Sequence, residues 1–370
     1  MLFKFTNAII LGLLASAGSL VQADKAKIVG TDELFNLTAT TNSTISQTIS
    51  HSGASYIAVH FASLNLPEGE SVIVRSPTGS KSYEYTGNHP SGFYASYIPG
   101  DTALVEYKGT SKTGDKSVFS IDKFARGFAD NTELMSVCGE DNTRPAMCYA
   151  NSNPTQYTKG KAVARLLIGG TSLCTGWLLG SEGHLVTNNH CIGSASAASD
   201  VQVELSAEGA CDDSCNDVQL GCPGTIVSTS SKLVTTNKSL DYALIKLNLN
   251  SGASLSSYGY LKFRSTGATL GEKIYIPQHP NGNAKRIANV VDDGSDAAID
   301  SLSESNSCGS DQVGYAADTA GGASGSPVLS TKDNLVIALH HCGGCPNSAI
   351  KVQKIVADMK SKRILPANAV

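Results

Sequence analysis

The sequence GGASGSPVL, residues 321–329, consists mostly of small residues. Such a run usually indicates a flexible loop. The same Gly-x-Ser-Gly-x-Pro string is also typical of a nucleophilic serine, because its glycines let backbone N–H groups point at one spot. Ser324 is therefore a candidate nucleophile. A serine hydroxyl needs a base to take its proton and a third group to orient that base, so both should occur elsewhere in the chain.

Two other stretches supply these parts. HLVTNNHC, 184–191, places His190 directly after an apolar strand pattern. DYALIKL, 241–247, places Asp241 at the start of a strand that is apolar enough to be buried. Each motif alone is weak evidence, because histidines beside cysteines and aspartates at strand ends are usually structural. Together, in the order His, Asp, Ser, they make chance a poor explanation.

The stretches TNNHC, DYALIKL and GASGSP resemble the motifs of the chymotrypsin/trypsin-like serine protease family, over about residues 137–362. The resemblance implies His190 as general base and acid, Asp241 as its orienting partner and Ser324 as nucleophile. It implies an oxyanion hole from the backbone N–H groups of Gly322 and Ser324. The expected function is a secreted serine endopeptidase that forms an acyl-enzyme intermediate. The alternative is a catalytically weak homologue that acts as a binding or inhibitory protein.

One position departs from the trypsin pattern. Trypsin relatives carry an aspartate before the nucleophile, where it receives a new α-amino group after zymogen cleavage, but this chain has Ala323 there. Activation by a buried N-terminal ion pair is therefore not expected. The motif more closely resembles the glutamyl endopeptidase branch, whose string also ends Ser-Gly-Ser-Pro-Val, and the cysteines resemble those of lysyl endopeptidase.

The residues around the nucleophile leave two substrate preferences open. Asp318 stands six residues before Ser324, where trypsin keeps the carboxylate that binds Lys or Arg. By resemblance to glutamyl endopeptidases, Thr319 and His340 would instead line a pocket for Glu. A structural interpretation, in which Asp318 caps a turn, also stays open. The balance slightly favours cleavage after basic residues.

The ten cysteines lie between Cys138 and Cys345 and indicate disulfides in an oxidising compartment. The resemblance implies a disulfide between Cys174 and Cys191 that fastens the histidine loop. It also implies that Cys138 joins Cys342 or Cys345, and that Cys148 joins one of Cys211, Cys215 and Cys222. A zinc site at His340, His341, Cys342 and Cys345 is a weaker alternative. No metal or other cofactor is expected, and the acidic run 292–300 is interpreted as a solvated loop.

The pattern at the N-terminus indicates a targeting segment. Residues 1–23 combine a lysine, a short apolar core and small residues before a cleavage point, as in a secretory signal peptide. A signal anchor is the alternative, but the apolar core is short for a span. We expect an extracellular, monomeric protein without stable membrane insertion. N-glycosylation acceptors occur at Asn36, Asn42 and Asn237.

Strand patterns predict an all-β chain with two parts. Residues 24–128 alternate apolar and polar residues between turn signals, which predicts a small β-sandwich-like domain, either a pro-domain or an accessory module. Residues 129–160 read as a linker leading into the second domain. Residues 161–362 predict a double β-barrel with a single C-terminal helix, whose inner face would be Ile350, Ile355, Val356 and Met359. The net charge of −4 argues against nucleic-acid binding, so protein or peptide substrates are the expected partners.

Overall fold

The computed structural model describes residues 25–89, 91–110, 116–129 and 137–370. The signal peptide predicted at 1–23 lies outside these residues. The described chain is mostly β and forms an N-terminal sandwich followed by a larger unit with a closed barrel. This confirms the predicted all-β class and the double-barrel protease fold.

The N-terminal sandwich packs two antiparallel sheets around an apolar core. The strands of this region are β1 (Lys27–Ile28), β2 (Gly30–Thr40), β3 (Thr44–Ser50), β4 (Tyr56–Asn65), β5 (Ser71–Arg75), β6 (Ser82–Thr86), β7 (Asn88–His89), β8 (Phe93–Tyr94), β9 (Ile98–Pro99), β10 (Thr102–Lys108) and β11 (Ser117–Gly127). One sheet has the order β3-β10-β5-β6. The other has the order β2-β11-β4-β7, with β8 and β9 also on β4. Strand β10 shows why the sandwich forms: Ala103, Val105 and Tyr107 alternate inward with residues that are more exposed.

The first half of the larger unit closes into a six-stranded barrel. After β12 (Arg144–Pro145), which joins the sheet of the second half, the strands of this barrel are β13 (Val163–Ile168), β14 (Ser172–Leu179), β15 (His184–Thr187), β16 (Val201–Leu205), β17 (Thr225–Asn237) and β18 (Tyr242–Leu249). The barrel order is β14-β13-β16-β17-β18-β15, and β15 pairs back onto β14. Strand β1 does not join the sandwich but adds to β14 outside this ring.

The second half forms an eight-stranded antiparallel sheet around its own apolar core. Its remaining strands are β19 (Ile274–Gln278), β20 (Arg286–Ala288), β21 (Ser301–Asn306), β22 (Gly309–Tyr315), β23 (Pro327–Ser330), β24 (Val336–Cys342) and β25 (Asn347–Lys351). The order is β12-β20-β19-β23-β24-β25-β22-β21. The helices are α1 (Tyr149–Ser152), α2 (Pro154–Gly160), α3 (Ala195–Ser199) and α4 (Val352–Ser361), with 3-10 turns at Ala146–Cys148, Ser214–Asp217 and Pro280–Gly282.

Three details differ from the sequence prediction. The expected linker 129–160 contains α1 and α2, so the C-terminal helix is not the only one in the described chain. Ile350 lies in β25, and Val352 takes its place on the buried face of α4 with Ile355, Val356 and Met359. Residues beyond 362 also pack, since the carbonyl of buried Ala369 accepts a hydrogen bond from Phe263 N–H at 2.8 Å.

All ten cysteines are paired. The disulfides are Cys138–Cys345, Cys148–Cys211, Cys174–Cys191, Cys215–Cys222 and Cys308–Cys342. The zinc alternative is wrong, because Cys342 and Cys345 are both in disulfides and offer no thiolate.

The sandwich packs directly on the first barrel. Strand β13 is buried along its whole length, since one face lines the barrel and the other contacts the sandwich. An apolar cluster at this contact joins Tyr56 and Tyr97 of the sandwich to Leu167 and Leu173 of the barrel. The Tyr56 hydroxyl also donates to the carbonyl of Gly170 at 2.8 Å. The two parts therefore share a core.

Candidate active site

The predicted base and acid are in contact. Asp241 ends the turn before β18 with a left-handed backbone, φ 35°. Its Oδ2 accepts from His190 Nδ1 at 2.8 Å and its Oδ1 accepts from the His190 backbone N–H at 3.0 Å. Asn188 Nδ2 donates to the Asp241 carbonyl at 2.8 Å. The loop that follows β15 is thus tied to the start of β18 by side-chain and backbone bonds.

The environment keeps this carboxylate ionised. Burial alone would raise the pKa of Asp241, but hydrogen bonds from His190 and His341 and their charges outweigh it and lower the pKa to about 2. Because an ionised carboxylate only accepts, His190 Nδ1 carries a proton. The other nitrogen, His190 Nε2, is buried and has no hydrogen-bond partner among the described residues. Its lone pair can therefore take a proton.

His341 also contacts Asp241, which was not predicted from the sequence. Its Nδ1 lies 3.1 Å from Asp241 Oδ2, and its Nε2 lies 2.7 Å from Gln312 Oε1. The ring is buried on β24 and contacts the same carboxylate oxygen, Oδ2, as His190. The doublet of His340 and His341 was the available signal, but in the sequence His341 suggested only a zinc ligand.

Ser324 lies where the two halves of the larger unit meet. Its carbonyl accepts from the Thr175 N–H of β14 at 2.8 Å, and the next residue, Gly325, donates to the His340 carbonyl of β24 at 2.9 Å. Ser324 itself is half-buried. The Cys174–Cys191 disulfide joins the neighbour of Thr175 to the neighbour of His190. Ser324 and His190 are therefore both anchored to the same end of β14.

The backbone before Ser324 leaves two donors open. Gly322 has φ +94°, a conformation that favours glycine. The Gly321 carbonyl accepts from Asn281 N–H at 2.6 Å, which turns the following Gly322 N–H the other way. Within the described parts of the chain, neither Gly322 N–H nor Ser324 N–H donates to an acceptor. Their role as an oxyanion hole stays a prediction.

These features accompany a clear similarity to known proteins. A family model for the trypsin-like peptidase domain matches residues 174–339. The secreted RxLR effector protein 73 of Plasmopara viticola is 43% identical over 340 residues, which cover 87% of this chain and 83% of that protein. The chain belongs to the family of that effector. Its larger unit is a trypsin-like peptidase domain.

Solved structures of proteases are also similar. The inactive form of the Rv3671c protease, from M. tuberculosis H37Rv, has 16% identity and a TM-score of 0.41, covering 61% of this chain and 98% of that chain. The Deg5 structure has 20% identity and a TM-score of 0.41, covering 56% of this chain and 90% of that chain. Placement in the glutamyl or lysyl endopeptidase branch stays a prediction.

The carboxylate of Asp318 in the trypsin-like domain is not unpaired. Its Oδ1 accepts from Cys138 N–H at 3.0 Å and its Oδ2 from Asn142 N–H at 2.9 Å. The side chain is buried, and burial raises its pKa. Asp318 therefore does not present the unpaired carboxylate that would bind a Lys or Arg side chain. The contacts fit the turn-capping interpretation, while the substrate preference itself stays a prediction.

The other two pocket candidates are buried and neutral. Thr319 Oγ1 donates to Asn347 Oδ1 at 3.1 Å. His340 Nδ1 lies 2.7 Å from the Tyr315 hydroxyl, and burial, with the charges of His341 and His190, lowers the pKa of His340 to about 3. Their role in substrate recognition stays a prediction.

The predicted glycosylation acceptors differ in exposure. Asn36 and Asn42 are exposed on the sandwich. Asn237 is half-buried, and its Oδ1 accepts from the N–H groups of Ser239 and Leu240 at 3.0 and 3.1 Å. Glycosylation of all three stays a prediction.

Proposed function

We propose that this protein is a secreted serine endopeptidase with His190, Asp241 and Ser324 as its triad. The observation that carries the proposal is the His190–Asp241 pair. The bond at His190 Nδ1 fixes the tautomer and leaves the buried Nε2 without a partner among the described residues, next to the strand end that anchors Ser324. The trypsin-like peptidase family supports the same chemistry.

The reaction would use these groups in two steps. Ser324 Oγ attacks the peptide carbonyl carbon while its proton passes to His190 Nε2. Asp241, kept ionised, stabilises the resulting imidazolium. The N–H groups of Gly322 and Ser324 bind the oxyanion, each worth about 3–4 kcal/mol in the transition state. The proton then goes to the leaving amine, and water, activated by the same histidine, hydrolyses the acyl-enzyme.

Variants of the triad test the proposal. Ser324→Ala and His190→Ala should each lower kcat by about 10⁶, and the double variant should be little worse. Ser256→Ala, at an exposed serine in the same domain, should leave kcat unchanged. The readout is hydrolysis of a fluorogenic peptide ester, with labelling by a fluorophosphonate probe. More than a few per cent residual activity in Ser324→Ala would remove this serine from the mechanism.

The contacts of the pocket candidates guide a proposal on specificity. Since Asp318 is held by backbone donors, we propose that Thr319 and neutral His340 shape the pocket. A peptide-library profile of the residue before the cut tests this. Predominant Lys or Arg, abolished by Asp318→Ser, would overturn it.

The alternative function is a binding or inhibitory protein. It is favoured by one observation, since the relative at 43% identity is named an effector. The two functions predict opposite results in the ester assay: a binding protein leaves the substrate intact and does not react with the fluorophosphonate probe.

An extracellular location is part of the proposal. Five disulfides fit an oxidising compartment, and the relative is named as secreted. No helix among the described residues is long and apolar enough to cross a membrane. We propose a monomer that acts on protein or peptide substrates. Sedimentation of the secreted protein tests the oligomeric state.

A further inference from the structure

Strand β1 adds the chain's own N-terminal segment to the edge of β14. Lys27 pairs with Leu173 and Ile28 with Ser172, antiparallel. Val29 N–H donates to the Thr171 carbonyl at 2.8 Å. Because bonded positions alternate along antiparallel strands, Lys27 and Leu173 form the next bonded position. The backbone groups of Leu173 that face outward are thus occupied by Lys27.

The same edge of β14 leads directly to the nucleophile. Thr175 is two residues beyond Leu173, and its N–H donates to the Ser324 carbonyl at 2.8 Å. Two residues of strand span about 7 Å. Lys27 and Ser324 therefore occupy consecutive bonding positions on one strand edge.

The Lys27 side chain also contacts the loop that precedes the nucleophile. Its Nζ donates to Asn281 Oδ1 at 3.0 Å, and a Cβ placed on Gly321 would lie 3.1 Å from its Cδ. The Asn281 N–H in turn holds the Gly321 carbonyl at 2.6 Å, one residue before the Gly322 donor. The backbone and the side chain of Lys27 therefore both contact the cleft, by which we mean the β14 edge at residues 173–175 and the loop that precedes Ser324.

We propose that segment 25–28 is an intramolecular ligand of the cleft and competes with peptide substrates for the β14 edge. The inference rests on the proposed function. The pocket candidates Thr319 and His340 would receive the residue before the scissile bond. The β14 edge would then receive the backbone of the residues after it, which is where Lys27 lies.

The sandwich holds this segment in place. Val29 follows β1 directly, is fully buried in the cluster between the two parts, and its carbonyl accepts from Phe128 N–H at 2.8 Å. A short tether gives a ligand an effective concentration in the millimolar range. A segment that makes only a few backbone bonds can therefore stay bound, yet be displaced by a longer substrate.

Two substrates separate this competition from catalysis. One is an internally quenched peptide with three residues after the scissile bond, and the other is an ester with none. Lys27→Pro, which removes the strand N–H, and Lys27→Glu, which removes the bond to Asn281, should raise kcat/KM for the peptide about tenfold relative to the ester. Lys108→Glu, the same charge change at an exposed end of β10, should leave the ratio unchanged. An unchanged ratio in both Lys27 variants would overturn the proposal.

Amide exchange provides a test that does not depend on activity. In Ser324→Ala, the backbone amide of Leu173 should be protected from hydrogen exchange by segment 25–28. Adding the quenched peptide should give no further protection. In Ser324→Ala/Lys27→Pro, Leu173 should exchange faster, and the peptide at millimolar concentration should restore protection. Equal peptide effects in both backgrounds would overturn the inference. Absence of ester hydrolysis in every variant would instead overturn the proposed function, while the exchange result still decides the inference.

Discussion

The buried charges between the sandwich and the barrel lead to a quantitative prediction. Arg165 of β13 and Glu204 of β16 are both about fully buried, at 1% exposure each. Arg165 Nη2 and Nε donate to Glu204 Oε2 at 2.8 and 3.0 Å, and Nη2 donates to the Tyr97 hydroxyl at 3.2 Å. Burial alone would lower the pKa of Arg165, but Glu204 and Tyr97 raise it above its usual value. The substitution Glu204→Gln would leave the buried guanidinium of Arg165 without its counter-ion.

The expected decrease in the free energy of unfolding follows from the burial of the two charges. Removing one partner of a buried pair costs about 3–5 kcal/mol, because the remaining charge stays desolvated. Tyr97→Phe removes one hydroxyl and should cost about 1 kcal/mol. The matched control is Glu106→Gln. Glu106 pairs with Arg75 at 2.6 Å, but their side chains are 35% and 27% exposed, so the loss should be about 0–1 kcal/mol.

Denaturant unfolding with the disulfides intact measures these losses. The single tryptophan, Trp177, lies in the barrel core and reports barrel unfolding by fluorescence. Glu204→Gln should lower the free energy of unfolding by at least about 2 kcal/mol more than Glu106→Gln. Equal losses in the two variants would mean that the charges of Arg165 and Glu204 are solvated, which would contradict their burial.

Three further predictions concern the site. Asp241, with its pKa lowered to about 2, stabilises the fold above its unfolded pKa of about 4 and loses that contribution as the pH falls to 2, so the Tm difference between parent and Asp241→Asn should shrink across this window. His341→Ala removes one charge-assisted bond to Asp241 and should lower kcat about tenfold to a hundredfold, less than loss of His190, with a changed pH–kcat profile. Replacing Cys174 and Cys191 by Ser opens a loop with a sequence separation of 17 and should cost about 3 kcal/mol, measured by denaturant unfolding; a loss below about 1 kcal/mol would contradict the chain-entropy model.

The contact between His190 and Asp241 follows an expectation from the sequence, and the proposed triad rests on three residues that each lie in a local motif. His190, Asp241 and Ser324 each follow or precede an apolar strand pattern, so their placement at strand ends was readable. His341 was not, because its contact with Asp241 spans 100 residues and no local pattern encodes it. The orientation of the Asp318 carboxylate also could not be predicted, since the same residue can face a pocket or cap a turn.

The sandwich shows the same limit. Strands β2 and β3 have a weaker strand signal than the rest of the sandwich, because they mix Ser, Thr, Asn and Gln residues and their faces are only partly buried. The pairing of β1 also could not be predicted from the sequence, because Lys27 contacts Asn281 at a separation of 254 residues. Two residues of strand carry no periodicity that could indicate a partner.

The loop around Ser324 is held by its own hydrogen bonds. The proposed competition by Lys27 would therefore control the access of substrate to the β14 edge. Ala323 is fully buried and has no carboxylate, so its side chain cannot hold the loop through an ion pair. Neutral bonds hold it instead: Ala323 N–H donates to Ala320 O at 2.9 Å, and Ser326 N–H and Oγ donate to Ala323 O at 3.0 and 2.6 Å. These bonds lie within the trypsin-like domain and need no newly formed N-terminus. Displacing Lys27 would therefore open the β14 edge while the nucleophile loop keeps its shape, which separates substrate access from the assembly of the triad.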